Sequence, residues 1–329
     1  MITQALSYSL FQAVVYIIVA PGVLGTLRWF KARLQGRRGA LPDQAYRDLW
    51  KLLHRKPVIP EHTSWVFLAT PFIVFACYAL AGMLIPIFYL PDRLNANGAS
   101  GYPPVTDFLI LIYLFGLARF FYGLAGMDTG SSFTRLGSGR EMFIHVLTEP
   151  TLIVATYALA LNFHTTNLTA IMRYRADLNV SESLANPSLW LVFVSITIVM
   201  LIEAGRIPFD NPSTHLELTM IGKAISLEYG GVYLAFIEWA DAMRLTFFMT
   251  FLLNLVLPRS LASPEQPLLM LAVFILVYLV KLVLTDLVLA LWEMSRAKLR
   301  LTALLPPSGI ALAFSILAVF VAVVMGYFQ

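Results

Sequence analysis

The chain has 329 residues, 59% of them hydrophobic and 13% charged, with a net charge of +4 and a mean hydropathy of +0.75. Soluble domains carry about 25% charged residues, so the composition excludes a soluble globular protein and indicates a polytopic membrane protein. One cysteine, Cys77, excludes an intrachain disulfide and an iron–sulfur cluster, and the five histidines (His54, His62, His145, His164, His215) show no metal- or haem-like spacing, so no redox centre is expected in this chain.

Eight apolar segments follow one another at 5–27, 64–90, 104–126, 140–162, 188–203, 231–257, 267–292 and 306–328. Each is long enough, or nearly so, to cross a hydrocarbon core, the fifth being the shortest. The expected fold is all-α, a single membrane domain over residues 1–329 with eight transmembrane helices and one amphipathic helix. Met1–Gln4 has no basic residue, so no cleavable signal peptide is expected.

Lys and Arg fix the orientation. Nine lie in loop 28–63, two at 127–140, two at 204–230 and three at 293–305, against four in the intervening loops. Loops 28–63, 127–139 and 204–230 are therefore expected on the cytoplasmic face of a bacterial or archaeal cytoplasmic membrane, with both termini outside. The sequence pI of 9.1 reflects this bias. The basic residues form no single patch, so no nucleic-acid partner is expected.

In loop 28–63, Tyr46, Leu49, Trp50 and Leu53 recur at helical spacing beside Arg47, Lys51 and Arg55. That pattern suits a helix lying on lipid headgroups, a platform for a soluble subunit, or both. Loop 127–139 holds three glycines among small polar residues, which suits tight turns and resembles an anion-binding nest. No GK[ST] follows it, so it is not a Walker A loop. In loop 204–230, Pro208 and Pro212 break any helix near residue 210, and Ser213 is placed to cap a helix over 214–229. That helix would put Glu217, Ala224 and Glu228 on one face, with Lys223 roughly 120° from Glu217.

Ionisable residues also lie inside the apolar segments: Arg119, Glu141, His145, Glu149, Glu238, Asp241, Arg244, Lys281 and Asp286. Glu238, Asp241 and Arg244 stack on one side of a helix. Such groups either pair and lock helix packing or carry ions. Acids outnumber bases around Glu203, Glu217 and Glu228, so these are expected to be unpaired carboxylates that exchange protons near neutral pH. His145 is expected to be a helix residue with a satisfied hydrogen bond.

The segment Glu203–Gly231, with Asp210-Asn-Pro-Ser-Thr-His-Leu-Glu-Leu-Thr-Met220, resembles the membrane subunit that joins the redox arm to the ion-pumping arm in respiratory complex I and its hydrogenase relatives. Gly126-Met-Asp-Thr-Gly-Ser-Ser-Phe133, Ser138-Gly-Arg-Glu141, Glu149-Pro150 and Thr165-Thr-Asn-Leu-Thr-Ala170 are closer to the formate hydrogenlyase and energy-converting hydrogenase branch. The resemblance covers about residues 5–300. It implies eight spanning helices and a non-catalytic subunit that couples electron transfer to proton or sodium translocation. It implies contact of the three loops with hydrogenase-like large and small subunits, whose iron–sulfur clusters and nickel–iron centre would be the only cofactors, and a path towards antiporter-like membrane subunits. The relay residues it implies are Glu203, Asp210, Glu217, Glu228, Glu141 and Glu149, with Arg206 and Arg140 as counter-charges. Lys223, Glu238, Asp241 and Arg244 join them as coupling candidates. This chain reads Gly222-Lys223-Ala224 where the branch reads His-Glu-Ala, and Glu228-Tyr-Gly-Gly231 where it reads Glu-Tyr-Ser-Gly. Either Lys223 is itself the switchable group or that step is missing. The alternative is a quinone-chamber subunit of a complex I-type NADH dehydrogenase. A stand-alone transporter is disfavoured, because no internal repeat is visible.

Overall fold

At membrane depth a backbone can satisfy its polar groups only along a helix or in a closed barrel, and the long apolar runs of this chain take the first course. A computed structural model describes residues 2–61, 63–87, 107–177, 186–210, 220–257, 268–299 and 301–327. Among them are eleven α-helices and no strand: α1 (Ile2–Leu34), α2 (Gln44–Leu53), α3 (Trp65–Leu84), α4 (Phe108–Asp128), α5 (Ser132–Phe163), α6 (Leu168–Asp177), α7 (Pro187–Glu203), α8 (Gly222–Ser226), α9 (Gly231–Val256), α10 (Leu268–Ser295) and α11 (Leu305–Tyr327).

Six of these, α1, α3, α4, α5, α10 and α11, are long and apolar enough to cross a membrane. The other two expected spans differ in kind. Helix α7 has 17 residues, and α9 has 26 but carries Glu238, Asp241 and Arg244. The segment 163–187, expected from sequence to be a loop, contains α6, whose buried Arg175 donates from Nε to the Leu255 carbonyl (2.9 Å) near the end of α9.

Helix α9 is the hub. Residues 245–252 are buried on every side, as expected of a helix apolar all round. It packs on α1, α3 and α7, while α4 lies between α3 and α5, and α11 between α5 and α7. Phe115 of α4 meets Phe247 of α9 edge-to-face at 4.8 Å, a favoured aromatic geometry. Tyr16 of α1, fully buried, donates to the Met243 carbonyl (2.5 Å), and its ring occupies the space that a Cβ on Gly82 of α3 would need. Gly82 is thus the notch that lets α1, α3 and α9 meet.

Two sequence expectations need correction. Helix α4 runs through Asp128 and α5 starts at Ser132, so most of 127–139 is helical and forms no nest. Its small residues serve close packing: a Cβ on Gly137 would meet Ala224 Cβ at 2.6 Å. Asp128 accepts from the Ser64 amide (2.7 Å) and hydroxyl (2.9 Å), tying the end of α4 to the start of α3. The helix expected over 214–229 is, within the described residues, only Gly222–Ser226, because Ile221 leaves helical geometry (φ −112°, ψ −108°). Its expected cap, Ser213, lies outside the described residues. The amphipathic helix is present as α2, with Ala45 and Leu49 buried and Trp50 exposed.

Gly82→Ala is expected to lower stability by about 1–3 kcal/mol through overpacking against Tyr16. Gly139→Ala, where a Cβ meets nothing within 4 Å, should be neutral or stabilising by about 0.5–1 kcal/mol. Thermal unfolding of the two variants in mild detergent checks the contrast.

Candidate functional site: a buried line of alternating charges

The site is built where α4, α5, α7, α8 and α9 converge. Glu141 and His145 are one turn apart on α5, so their side chains stack on one face. Tyr122 of α4 donates to the Gly222 carbonyl (2.8 Å) and holds α8 against α4. A Cβ on Gly222 would lie 3.1 Å from the Glu141 carboxylate, so glycine lets the carboxylate pass close to the backbone.

The charged groups form one chain. Lys223 Nζ contacts Glu238 Oε1 (2.6 Å) and Asp241 Oδ2 (3.1 Å). Asp241 Oδ1 accepts from Arg244 Nη2 (3.0 Å), and Arg244 Nη1 stands 3.8 Å from Glu141 Oε1. Glu141 Oε1 meets His145 Nε2 at 3.2 Å, and His145 Nδ1 is 3.5 Å from Glu203 Oε1. Glu203 ends on Arg119 Nη2 at 2.7 Å and accepts a short hydrogen bond from the Thr148 hydroxyl. Acid and base alternate throughout. The Lys223 and Glu238 side chains are 26% and 28% exposed, whereas Arg119 and Glu203 are 6% and 0% exposed. The line therefore leads from a wet end to a sealed one.

A cavity of about 50 Å³ runs beside it, walled by Glu141, His145, Glu203, Asp210, Lys223 and Arg244 among others. Its volume exceeds the roughly 10–15 Å³ that one water needs, so there is room for water between the two long contacts at 3.5 and 3.8 Å.

The four acids face three permanent cations and His145. Charge balance within the line therefore depends on His145, the only member whose unperturbed pKa lies near neutrality. Burial would lower the Lys223 pKa, but the Asp241 and Glu238 carboxylates outweigh it and hold the ammonium above the usual lysine range. Lys223 is thus held as a positive charge between two carboxylates.

Six sequence candidates meet in the line: Glu141, Glu203, Lys223, Glu238, Asp241 and Arg244. Glu203 is not the unpaired carboxylate expected from sequence, since Arg119, His145 and Thr148 all reach it. Asp210 is on the cavity wall but pairs with Lys298 (2.7 Å). Arg206 turns away from Glu203 and stands 3.9 Å from Glu293 of α10, whose other partner is Lys31 (2.6 Å). Arg140 donates to the Met220 carbonyl (3.0 Å), while the counter-charges of Glu141 are His145 and Arg244. Glu149 lies farther along α5, half-buried over Gly116 of α4 and apart from the line. Glu228 sits in the turn after α8, partly exposed. Glu217 lies outside the described residues. Arg119 and His145 are site members that were not expected from the sequence. An arginine inside an otherwise apolar segment was the signal for the first; for His145 the signal was a histidine one turn from a glutamate.

A family model described as NADH dehydrogenase matches residues 6–325. Formate hydrogenlyase subunit 4 of Escherichia coli (strain K12) is 33% identical over 295 residues, 89% of this chain and 91% of that protein. Hydrogenase-4 component C of the same organism is 30% identical over 256 residues, 78% and 76% of the two chains. An NADH-quinone oxidoreductase subunit of Syntrophotalea carbinolica is 29% identical over 194 residues, 57% and 56%. The fold is shared with a chain in the structure of the membrane-bound sulfane sulfur reductase, an archaeal respiratory membrane complex, at a TM-score of 0.76 and 19% identity over 96% of this chain and 99% of that one.

Arg119→Leu or Glu203→Leu alone should cost about 3–5 kcal/mol by leaving a buried charge unpaired, and the double replacement much less; unfolding of the three variants in detergent reads the difference. Lys223 titrates higher folded than unfolded, so its stabilisation is complete below about pH 10.4 and fades only as pH rises beyond it. The loss of stability in Lys223→Met should accordingly stay level between about pH 6 and 9 when unfolding is followed across that range.

Proposed function

This chain belongs to the NADH dehydrogenase family, and we propose that within it the protein is the membrane subunit of a hydrogenase- or formate hydrogenlyase-type oxidoreductase complex, anchoring the redox arm and coupling electron transfer to proton translocation. The observation that carries this reading is the unbroken line from Lys223 to Arg119, wet at one end and sealed at the other. The similarity to formate hydrogenlyase subunit 4 and hydrogenase-4 component C over most of the chain supports the hydrogenase branch.

In this reading α7 and α9 join the six apolar helices to make eight crossings, and both termini lie outside the cytoplasmic membrane. Loops 28–63, 127–139 and 204–230 then face the cytoplasm. They dock hydrogenase-like large and small subunits, which hold the iron–sulfur clusters and any nickel–iron centre. Met127, Phe133 and Leu136, exposed around the turn between α4 and α5, suit such a contact. Antiporter-like subunits cover the flank where Glu149 is half-buried, because a carboxylate facing lipid there would be costly.

The chemistry is proton transfer. Charge arriving in the docked arm acts on segment 204–210, which walls the cavity through Ala204, Gly205 and Asp210. His145 stands between two carboxylates, one at each ring nitrogen. A proton taken up at one nitrogen leaves from the other, and Glu141 and Glu203 exchange the balancing charge. Lys223 contacts both Asp241 and Glu238, Arg244 contacts Asp241, and the two cations set the field at the more exposed end.

A second reading, a quinone chamber as in complex I, has one observation in its favour. A cavity of about 260 Å³ between α1, α2 and α9 is lined by Pro21, Leu24, Leu49, Leu52 and Leu234, and ends on Arg28, Asp48 and Glu238. It would take an isoprenoid tail.

The test is the complex purified from its native membrane and reconstituted in liposomes. His145→Gln should lower protons translocated per electron pair by about twofold or more while the subunits stay assembled. Unchanged translocation would remove the relay, and inhibition by quinone-site inhibitors would favour the second reading.

A further inference from the structure

A second group of buried charges lies outside the line. Asp286 of α10 is 1% exposed. One oxygen, Oδ2, accepts a short hydrogen bond from the Thr26 hydroxyl of α1, and the other, Oδ1, is buried with no hydrogen-bond partner. Two turns along α10 is Glu293, 2% exposed and engaged by Lys31 at 2.6 Å and by Arg206 at 3.9 Å. Arg206 is 7% exposed, and its Nε is likewise buried without a partner. The charged groups facing Asp286 are Arg206 from the 204–210 segment and Glu293 from its own helix, with Arg28 and Lys31 on α1 nearby.

We infer that Asp286 is a second proton-exchange site, in which Arg206 acts as the movable counter-charge between Glu293 and Asp286. The inference rests on the reading of this chain as a proton-translocating subunit. A buried carboxylate given a single neutral donor is costly as an anion, so with Arg206 at Glu293 the Asp286 carboxyl holds its proton. The Arg206–Glu293 contact is long, and Lys31 alone neutralises Glu293 when Arg206 leaves it. With Arg206 turned to Asp286, the O–H bond of the acid breaks. The proton passes to water, and the electron pair stays on the carboxylate beside the guanidinium. Return of Arg206 to Glu293 draws a proton from water back to Asp286. Arg206 belongs to the same short segment as Asp210 and Gly205, which wall the main cavity, so one displacement of that segment reaches both sites.

The test uses the whole complex in liposomes and compares wild type, Asp286→Asn and His145→Gln. Asn keeps the acceptor for Thr26 and the side-chain volume. Asp286→Asn should lower protons translocated per electron pair about twofold, one of two proton-holding groups being lost. It should also remove a protonated-carboxyl infrared band that the wild type shows at rest and loses on reduction. A ratio equal to wild type in Asp286→Asn, with a reduced ratio in His145→Gln, overturns this inference and leaves the main relay standing. A normal ratio in His145→Gln overturns the relay itself. Should Asp286→Asn fail to assemble, Arg206→Gln replaces it, and the band should then persist on reduction; a band that still disappears overturns the inference.

Discussion

A charge in a low-dielectric bundle must be matched by another or it costs several kcal/mol. Glu203 and Arg119, 2.7 Å apart with the carboxylate fully enclosed, show the constraint in its strictest form. The other placements in this end of the molecule follow from the same demand. Asp241 can sit on the central helix α9 because Lys223 and Arg244 reach it from opposite sides. Glu141 can sit on α5 because His145 and Arg244 do the same. The helices are thus held in register by charge as well as by the aromatic packing of Phe115, Phe247 and Tyr16, and the polar line is part of the core.

Matching is nearly complete but not uniform. The contacts at the two ends of the line are tight, while those through Glu141 and His145 are longer and border a small polar-lined cavity. Tight pairs fix positive charges, as at Lys223. Longer contacts leave room for a histidine to change state without dismantling the helices around it. Segment 204–210 sits against this loose middle and is tied on its other side to α10 and the residues after it, through Asp210–Lys298, the Leu299 amide on the Pro208 carbonyl (2.7 Å) and the Arg206–Glu293 contact.

Much of this was legible in the amino-acid sequence. The all-helical membrane architecture and the amphipathic α2 follow from hydropathy and periodicity, while the six candidate site residues that meet in the line came from the rarity of charge at membrane depth together with the family resemblance. Arg206 and Arg140 were legible as charges but not as partners. The resemblance implied them as counter-charges of the relay carboxylates, whereas Arg206 stands 3.9 Å from Glu293 of α10 and Arg140 donates to the Met220 carbonyl. The expected helix over 214–229 failed at Ile221, where packing of Gly222 against the Glu141 carboxylate overrides local propensity.

What the sequence determined by itself was the kind of environment each segment requires, because burying an apolar surface or a charge has a cost set by residue type alone. Only the tertiary structure decided which charge neutralises which. Coulombic pairing depends on distances between atoms of different helices, and no spacing along one chain segment encodes the distance from Arg119 on α4 to Glu203 on α7, or from Lys223 to two acids on α9. For the same reason the partners of Lys223 were open in the sequence and are fixed in the fold, where two carboxylates lie within 3.1 Å of its ammonium.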